Sequence, residues 1–120
     1  MLELTINDKQ YQFVFNSNTS EIYYQTFGED LFEMTMKLKE DSQLLLKRNR
    51  LQKLAYVANM QSKKTVRELA GRLNLSTYLD WAEQFSGREF LTGPAAAQII
   101  DAWRGSFETK SEIKNPDSPQ

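Results

Sequence analysis

The chain has 120 residues, enough for one domain, with 15 basic and 16 acidic side chains and neither cysteine nor histidine. These two absences exclude disulfides, thiolate metal sites and the commonest general base near neutral pH, and they predict a protein that is not an enzyme and holds no metal or cofactor. The formal net charge of −1 lacks the basic excess that drives binding to nucleic acid, and no apolar run approaches the roughly 20 residues of a membrane span.

The first predicted element is a β-hairpin. Apolar residues occupy every second position over 2–6, and aromatic residues do so over 11–15, which is the period of a half-buried strand. The polar residues 7–10 between the two runs suit a tight turn. Because an isolated hairpin is marginally stable in water, we expect its apolar side to pack on the helices that follow.

Three helices are predicted in the middle of the chain. The first two cover about 20–27 and 29–38, and Gly28 separates them as a left-handed residue or a hinge. The third is capped by Asp41 or Ser42, runs to about position 61 and, at about 18 residues, is expected to be the longest.

Three more helices are predicted in the C-terminal half. Thr65 begins the fourth, and Glu68 three residues later completes a capping box. Ser76 or Thr77 caps the fifth. Pro94 occupies the first position of the sixth, which Gly105 is expected to end.

The predicted fold class is therefore α+β, mainly α, with an N-terminal β-hairpin packed on a bundle of about five or six short helices. Residues 1–105 are expected to form a single globular domain. Residues 106–120 are rich in polar residues and proline and are predicted to form a flexible tail.

One functional hypothesis is a helix-turn-helix at 65–85, which would make the chain a small DNA-binding regulator. Such a motif reads DNA with basic and amide side chains on its second helix. Here that helix carries Asp80 and Glu83 and no basic residue, so phosphate would repel it. A packed helical hairpin is the favoured interpretation of this segment.

Charged residues offer two further hypotheses. The basic run Lys47, Arg48, Arg50 and Lys53 could meet RNA or an acidic partner, although such runs are usually solvated helix surface. Paired carboxylates can catalyse glycoside hydrolysis or hold magnesium. Most of the pairs here lie at predicted helix starts, however, where capping already explains them.

The aromatic content points to binding. At helical spacing most aromatic side chains belong to a core, but this set is large for so small a domain, and the adjacent Tyr23 and Tyr24 cannot both point inward. Some rings should therefore be exposed, as at protein interfaces. The set comprises Tyr23, Tyr24, Phe27, Tyr56, Tyr78, Trp81, Phe85 and Trp103.

The order of these segments resembles the tail assembly chaperones of long-tailed bacteriophages and prophages of Gram-positive bacteria. The strand–turn–strand opening at 1–11 is similar to the start of that family, and 22–31 resembles its helix with an aromatic-Gly-acidic-Leu junction. The small-residue run at 54–60, followed by the acidic aromatic run at 78–85, completes the pattern. The similarity extends over about residues 1–105.

The resemblance implies a non-enzymatic chaperone that binds the tape measure protein and recruits the major tail tube protein. It implies action in the bacterial host cytoplasm, absence from the mature virion, a possible homo-oligomer, and no membrane or nucleic-acid partner. The client would contact exposed aromatic side chains, with basic residues tuning the register. The candidate partner-binding residues are Tyr23, Tyr24, Phe27, Tyr78 and Trp81, together with Lys47, Arg48 and Arg50.

Overall fold

The predicted hairpin is present in the computed structural model, which describes residues 1–38, 40–41 and 43–107. Strand β1 (Leu2–Ile6) pairs antiparallel with strand β2 (Lys9–Phe13). Of the side chains that alternate inward, Leu4, Ile6 and Phe13 are buried and Leu2 and Tyr11 are partly buried, which confirms the period-two pattern.

The hairpin turn is shorter than predicted. Asn7 and Asp8 have φ angles of 53° and 67°, the left-handed pair that a two-residue hairpin turn requires. This turn sets Ile6 directly opposite Lys9. The second strand therefore begins at Lys9, and the predicted strand over 11–15 is wrong by two residues at each end.

Helices α1 (Ser17–Phe27) and α2 (Leu31–Met36) follow the hairpin. α1 starts three residues earlier than predicted because the side chain of Asn16 accepts hydrogen bonds at its N-terminus. Gly28 ends α1 in the left-handed region with φ 75°, which confirms one of its two predicted roles. Asp30 caps α2 and accepts a backbone N–H of its first turn at 2.9 Å.

The third predicted helix is two elements. A 3₁₀ segment (Leu44–Asn49) precedes α3 (Arg50–Lys63), and Arg48 and Asn49 between their helical parts have φ angles of 55° and 58°. The prediction of one continuous helix of about 18 residues is wrong, because left-handed backbone cannot continue a right-handed helix. The alternative cap at Ser42 lies outside the described residues.

Two short helices come next. α4 (Val66–Leu69) begins with the predicted capping box, in which the side chains of Thr65 and Glu68 each accept the other's backbone N–H. α5 (Leu75–Ala82) begins earlier than predicted because Asn74 supplies its own capping box. Both helices pack against α3.

The described part of the chain ends in α6 (Pro94–Phe107), after a 3₁₀ turn (Arg88–Phe90). Pro94 is the first residue of α6, as predicted. The predicted end at Gly105 is wrong, because α6 continues through it. Positions 108–120 of the predicted tail lie outside the described residues.

Helix α3 is the centre of the molecule and packs against β2, α1, α5 and α6. Val14 of the hairpin donates its N–H to the carbonyl of Ala58 at 3.0 Å. Asn59, which is buried, donates to the carbonyl of Gln12 at 2.8 Å and accepts from the indole N–H of Trp81 at 3.0 Å. These bonds satisfy polar groups that would otherwise be costly to bury, and they hold the hairpin on the helices. The α+β, mainly α prediction is confirmed.

Candidate partner-binding surface

Most of the candidate rings form an inner aromatic cluster rather than a surface. Tyr56 lies 5.6 Å from Tyr78 and 5.4 Å from Trp81, centroid to centroid. Trp81 in turn lies 4.8 Å from Phe85. We use the name for Tyr23, Phe27, Tyr56, Tyr78, Trp81 and Phe85.

Burial corrects the candidate list. Tyr23, Tyr78 and Trp81 keep only 0%, 3% and 8% of their surface exposed, so none of them is an exposed ring on the outside of the folded chain, and Trp81 contributes only to the wall of a groove. They point inward because α1 and α5 turn these positions toward α3. Phe27 is half-buried, with its ring 5.0 Å from Tyr23 on the inner side and the Lys53 ammonium 5.2 Å from the ring centroid.

Tyr24 is the candidate ring that is open to solvent, with 56% of its surface exposed. It borders a shallow pocket of about 340 Å³ together with Phe32. Phe32 and Met36 lie one turn apart on α2 and are 47% and 64% exposed. We call Tyr24, Phe32 and Met36 the outer patch.

The outer patch has an acidic border. Glu21 and Asp30 line the same pocket as Tyr24 and Phe32. Exposed apolar side chains that cluster beside charged ones are typical of protein interfaces. A helix with an apolar side and neighbouring basic residues would match this surface chemically.

The predicted basic run does not form one free surface. Lys47 donates to Asp41 at 2.8 Å, and Arg50 donates to Glu29 at 3.0 Å and to the carbonyl of Leu44 at 3.2 Å. Arg48 is exposed. It is the first of the two residues with left-handed backbone that precede α3. Two of the three basic candidates are thus occupied by bonds that hold the 3₁₀ segment and α3 in place.

Glu29 links this basic segment to the inner aromatic cluster. Its carboxylate accepts from Arg50 and, at 3.2 Å, from the hydroxyl of Tyr23. Burial by itself would raise the pKa of Glu29, but the hydrogen bonds and charge of Arg50 outweigh it and lower the pKa below its ordinary value. Burial, with the nearby carboxylate, raises the pKa of Tyr23. Both groups keep one protonation state near neutral pH.

Three carboxylates of the predicted pairs have structural partners. Asp30 caps α2, Glu29 pairs with Arg50, and Asp41 pairs with Lys47. Among the described residues, no three acidic side chains converge to hold a metal ion.

In the helix-turn-helix candidate both helices pack against α3, and the second one presents apolar and acidic side chains to solvent. α5 buries Tyr78 and Trp81 and exposes Leu75, Leu79 and Glu83. Such a surface would meet the phosphates of a major groove with like charge.

A groove between α3, α4 and α5 was not predicted from the sequence. It has a volume of about 340 Å³ and a mainly apolar wall, which includes Met60, Leu73 and Trp81. Its lining also includes two basic and two acidic side chains, which are Lys64, Arg72, Glu68 and Asp80. This groove and the outer patch have no residue in common.

A sequence signal for the exposed apolar residues does exist. Phe32 and Met36 lie off the apolar stripe predicted for α2, and Leu75 and Leu79 lie off the Tyr78–Trp81 stripe of α5. Large apolar residues spaced by four positions outside the core-facing stripe indicate an exposed ridge. These four residues were not predicted, because the apolar stripes indicate only the side of each helix that faces the core.

Comparisons with known proteins add no relative, since no protein-family model, curated protein or solved structure matches the chain. Within the described ranges, none of the helices has both the length and the apolar character needed to cross a membrane.

Proposed function

We propose that this chain is a non-enzymatic tail assembly chaperone of a long-tailed bacteriophage. In this role it binds the tape measure protein and recruits tail tube subunits in the host cytoplasm. The choice of the tape measure protein as client is supported by the order of the sequence segments over 1–105, which is similar to the order in that family.

The outer patch is the observation that carries the proposal. Tyr24, Phe32 and Met36 together expose apolar surface that the fold leaves outside its core. Burying this surface against a client would be favourable at roughly 25 cal/mol per Å² of apolar area. Met36 adds a flexible thioether that adapts to clients of different shape, as suits a chaperone.

The acidic border of the patch defines which client segments it prefers. Glu21 and Asp30 beside Tyr24 favour amphipathic helices with basic residues next to the apolar side. A tape measure protein offers a long series of helices, so many copies of the chaperone would bind along one client. The basic residues Lys47 and Arg50 act inside the chaperone instead, because their charges are already paired.

Co-purification tests the proposal. The tagged chain is co-expressed with the tape measure protein of the same phage, and a Tyr24→Ala/Met36→Ala variant is compared with the unmodified chain. We expect the double variant to fold normally and to retain at least tenfold less client. Leu91→Ala, which removes an exposed leucine elsewhere, is the matched control.

Equal retention by the double variant and the control would contradict a role for the outer patch. No retention by the unmodified chain would contradict the choice of client. A mobility shift with random duplex DNA at low salt would replace the proposal by a DNA-binding function.

A further inference from the structure

In the described part of the chain the β-hairpin is a sheet of two strands, so each strand has one edge that the other strand does not cover. Because the turn has two residues, Ile6 and Lys9 form a hydrogen-bonded pair, and every second pair along the ladder repeats this arrangement. The backbone N–H and C=O groups of Glu3 and Thr5 therefore point away from β2, toward the free edge of β1.

The outer edge of β2 is covered by α3. The carbonyl of Gln12 accepts the side-chain N–H of Asn59 at 2.8 Å, and Val14 donates its N–H to the carbonyl of Ala58 at 3.0 Å. These bonds agree with the alternation, because Gln12 and Val14 are the positions expected to point outward from β2. This edge is therefore closed to a further strand.

The free edge of β1 lacks such a cover. Glu3 and Thr5 are exposed, and within the described ranges their backbone N–H and C=O groups have no hydrogen bond. The Glu3 carboxylate accepts the side-chain N–H of Gln12 at 2.8 Å, so it lies over the solvent side of the sheet and leaves the edge open. Outward donors and acceptors at alternating residues match the backbone of another extended strand.

Two pockets lie between β1 and α6, one at each end of the strand. The first, of about 340 Å³, has a mainly apolar lining that includes Leu2, Phe15 and Ala102. The second, of about 270 Å³, is lined in part by Ile6 and Ala95. A strand placed beside β1 would direct its side chains toward these pockets at the positions opposite Leu2 and Ile6.

We propose that the free edge of β1 binds an extended segment of a partner protein, which adds a third, antiparallel strand to the sheet. The backbone of this segment exchanges hydrogen bonds with Glu3 and Thr5, and its apolar side chains at alternating positions enter the two pockets. Antiparallel pairing is the more stable arrangement per residue.

The pockets favour a partner segment over the β1 strand of a second copy. In a second copy, Leu4 and Ile6 are buried in that copy's own core, so they cannot fill the pockets of a neighbour. The outer patch takes no part in this contact. The proposal therefore goes beyond the tape measure client and does not depend on it.

Backbone methylation of a peptide tests the proposal on the full-length chain. The probe is the fluorescein-labelled peptide Lys-Val-Thr-Val-Thr-Val-Lys, and binding is followed by fluorescence anisotropy. When its valine side chains face the pockets, its threonine amides face β1 and its valine amides face solvent.

We expect N-methylation of the threonine amides to weaken binding at least about tenfold, and N-methylation of two valine amides to leave it within about twofold. Equal affinity of the two methylated peptides, or no binding of the unmethylated one, would overturn the proposal.

Substitution of Thr5 tests the same bonds from the side of the protein. Thr5→Pro removes the outward N–H and leaves the ladder with β2 in place, since proline is tolerated on an edge strand where the N–H faces solvent. It should weaken binding of the peptide about tenfold. Thr5→Ala, which keeps the N–H, is the matched control and should bind as the unmodified chain does.

Amide hydrogen exchange tests the edge without any substitution. In the free chain, the amides of Glu3 and Thr5 should exchange at least about tenfold faster than those of Leu4 and Ile6, which bond to β2, and the peptide should slow exchange at Glu3 and Thr5. Slow exchange at these two residues in the free chain would overturn the proposal. Independent of concentration, it would mean that residues 108–120 cover the edge, and rising with concentration, that a second copy does.

Discussion

The inner aromatic cluster and the outer patch are built from the same kinds of residue but have opposite roles. Tyr23 and Tyr24 are neighbours in the chain, and 0% of the first is exposed against 56% of the second. Consecutive helical residues point about 100° apart, so one lies toward α3 and the other toward solvent. Composition therefore supplies the rings, but the rotation of each helix decides which ring stabilises the fold and which one remains for a partner.

The largest loss of stability is expected for a substitution in the inner aromatic cluster. Trp81→Ala should lower the free energy of unfolding by about 3–5 kcal/mol, since it opens a cavity and leaves Asn59 without its indole partner. Urea unfolding followed by circular dichroism measures the change. A variant as stable as the unmodified chain would place Trp81 outside the core and would remove the distinction between the two regions.

An intermediate loss of stability is expected at the ion pair between Glu29 and Arg50, which borders the inner aromatic cluster. Glu29→Gln should cost about 1–3 kcal/mol, because Arg50 loses a partly buried charged partner. The folded pKa of Glu29 lies below the ordinary 4.5, so its contribution is fully present above that value and is lost as pH falls through the folded pKa.

The free energy of unfolding of the unmodified chain and of Glu29→Gln should therefore be compared from pH 7 down to acidic pH. The gap between the unmodified chain and Glu29→Gln should narrow below about pH 4.5. Glu33→Gln is the matched control, because it breaks only the exposed pair with Lys37, worth about 0.3–0.5 kcal/mol. A gap that stays constant through acid would mean that Glu29 does not contribute through its charge.

The smallest effect on stability is expected in the outer patch. Tyr24→Ala should change the free energy of unfolding by no more than about 0.5 kcal/mol, because its ring contributes little to the core. Tyr23→Ala, one position earlier, should cost several times more. Equal losses in the two variants would show that Tyr24 also supports the fold.

The elements that the sequence predicts best are those with local physical causes. The alternating residues of the hairpin, the capping box of Thr65 and Glu68, and Pro94 at the start of α6 each involve atoms a few residues apart. The break before α3 has no such signal. Arg48 and Asn49 adopt left-handed backbone without being glycine, in a segment tied by the Arg50–Glu29 pair across 21 positions of sequence.

The candidate surface was predictable only in part, for a related reason. Tyr23 and Tyr24 cannot both be buried because neighbouring helical residues point in different directions, a local property that the structure confirms. Which of the two is buried depends on where α3 lies, and that is a tertiary property. Phe32 joins Tyr24 through the angle between α1 and α2, which no spacing in the sequence specifies.

The two-residue hairpin turn also restricts how this protein can evolve. Gain or loss of one residue between Ile6 and Lys9 would slip the pairing by one position and rotate the apolar side chains of one strand into water. Surface loops usually accept changes of length, whereas this one should tolerate exchange of amino-acid type and reject insertions and deletions. Homologues of this chain would thus keep two residues at this loop even where their sequences have diverged.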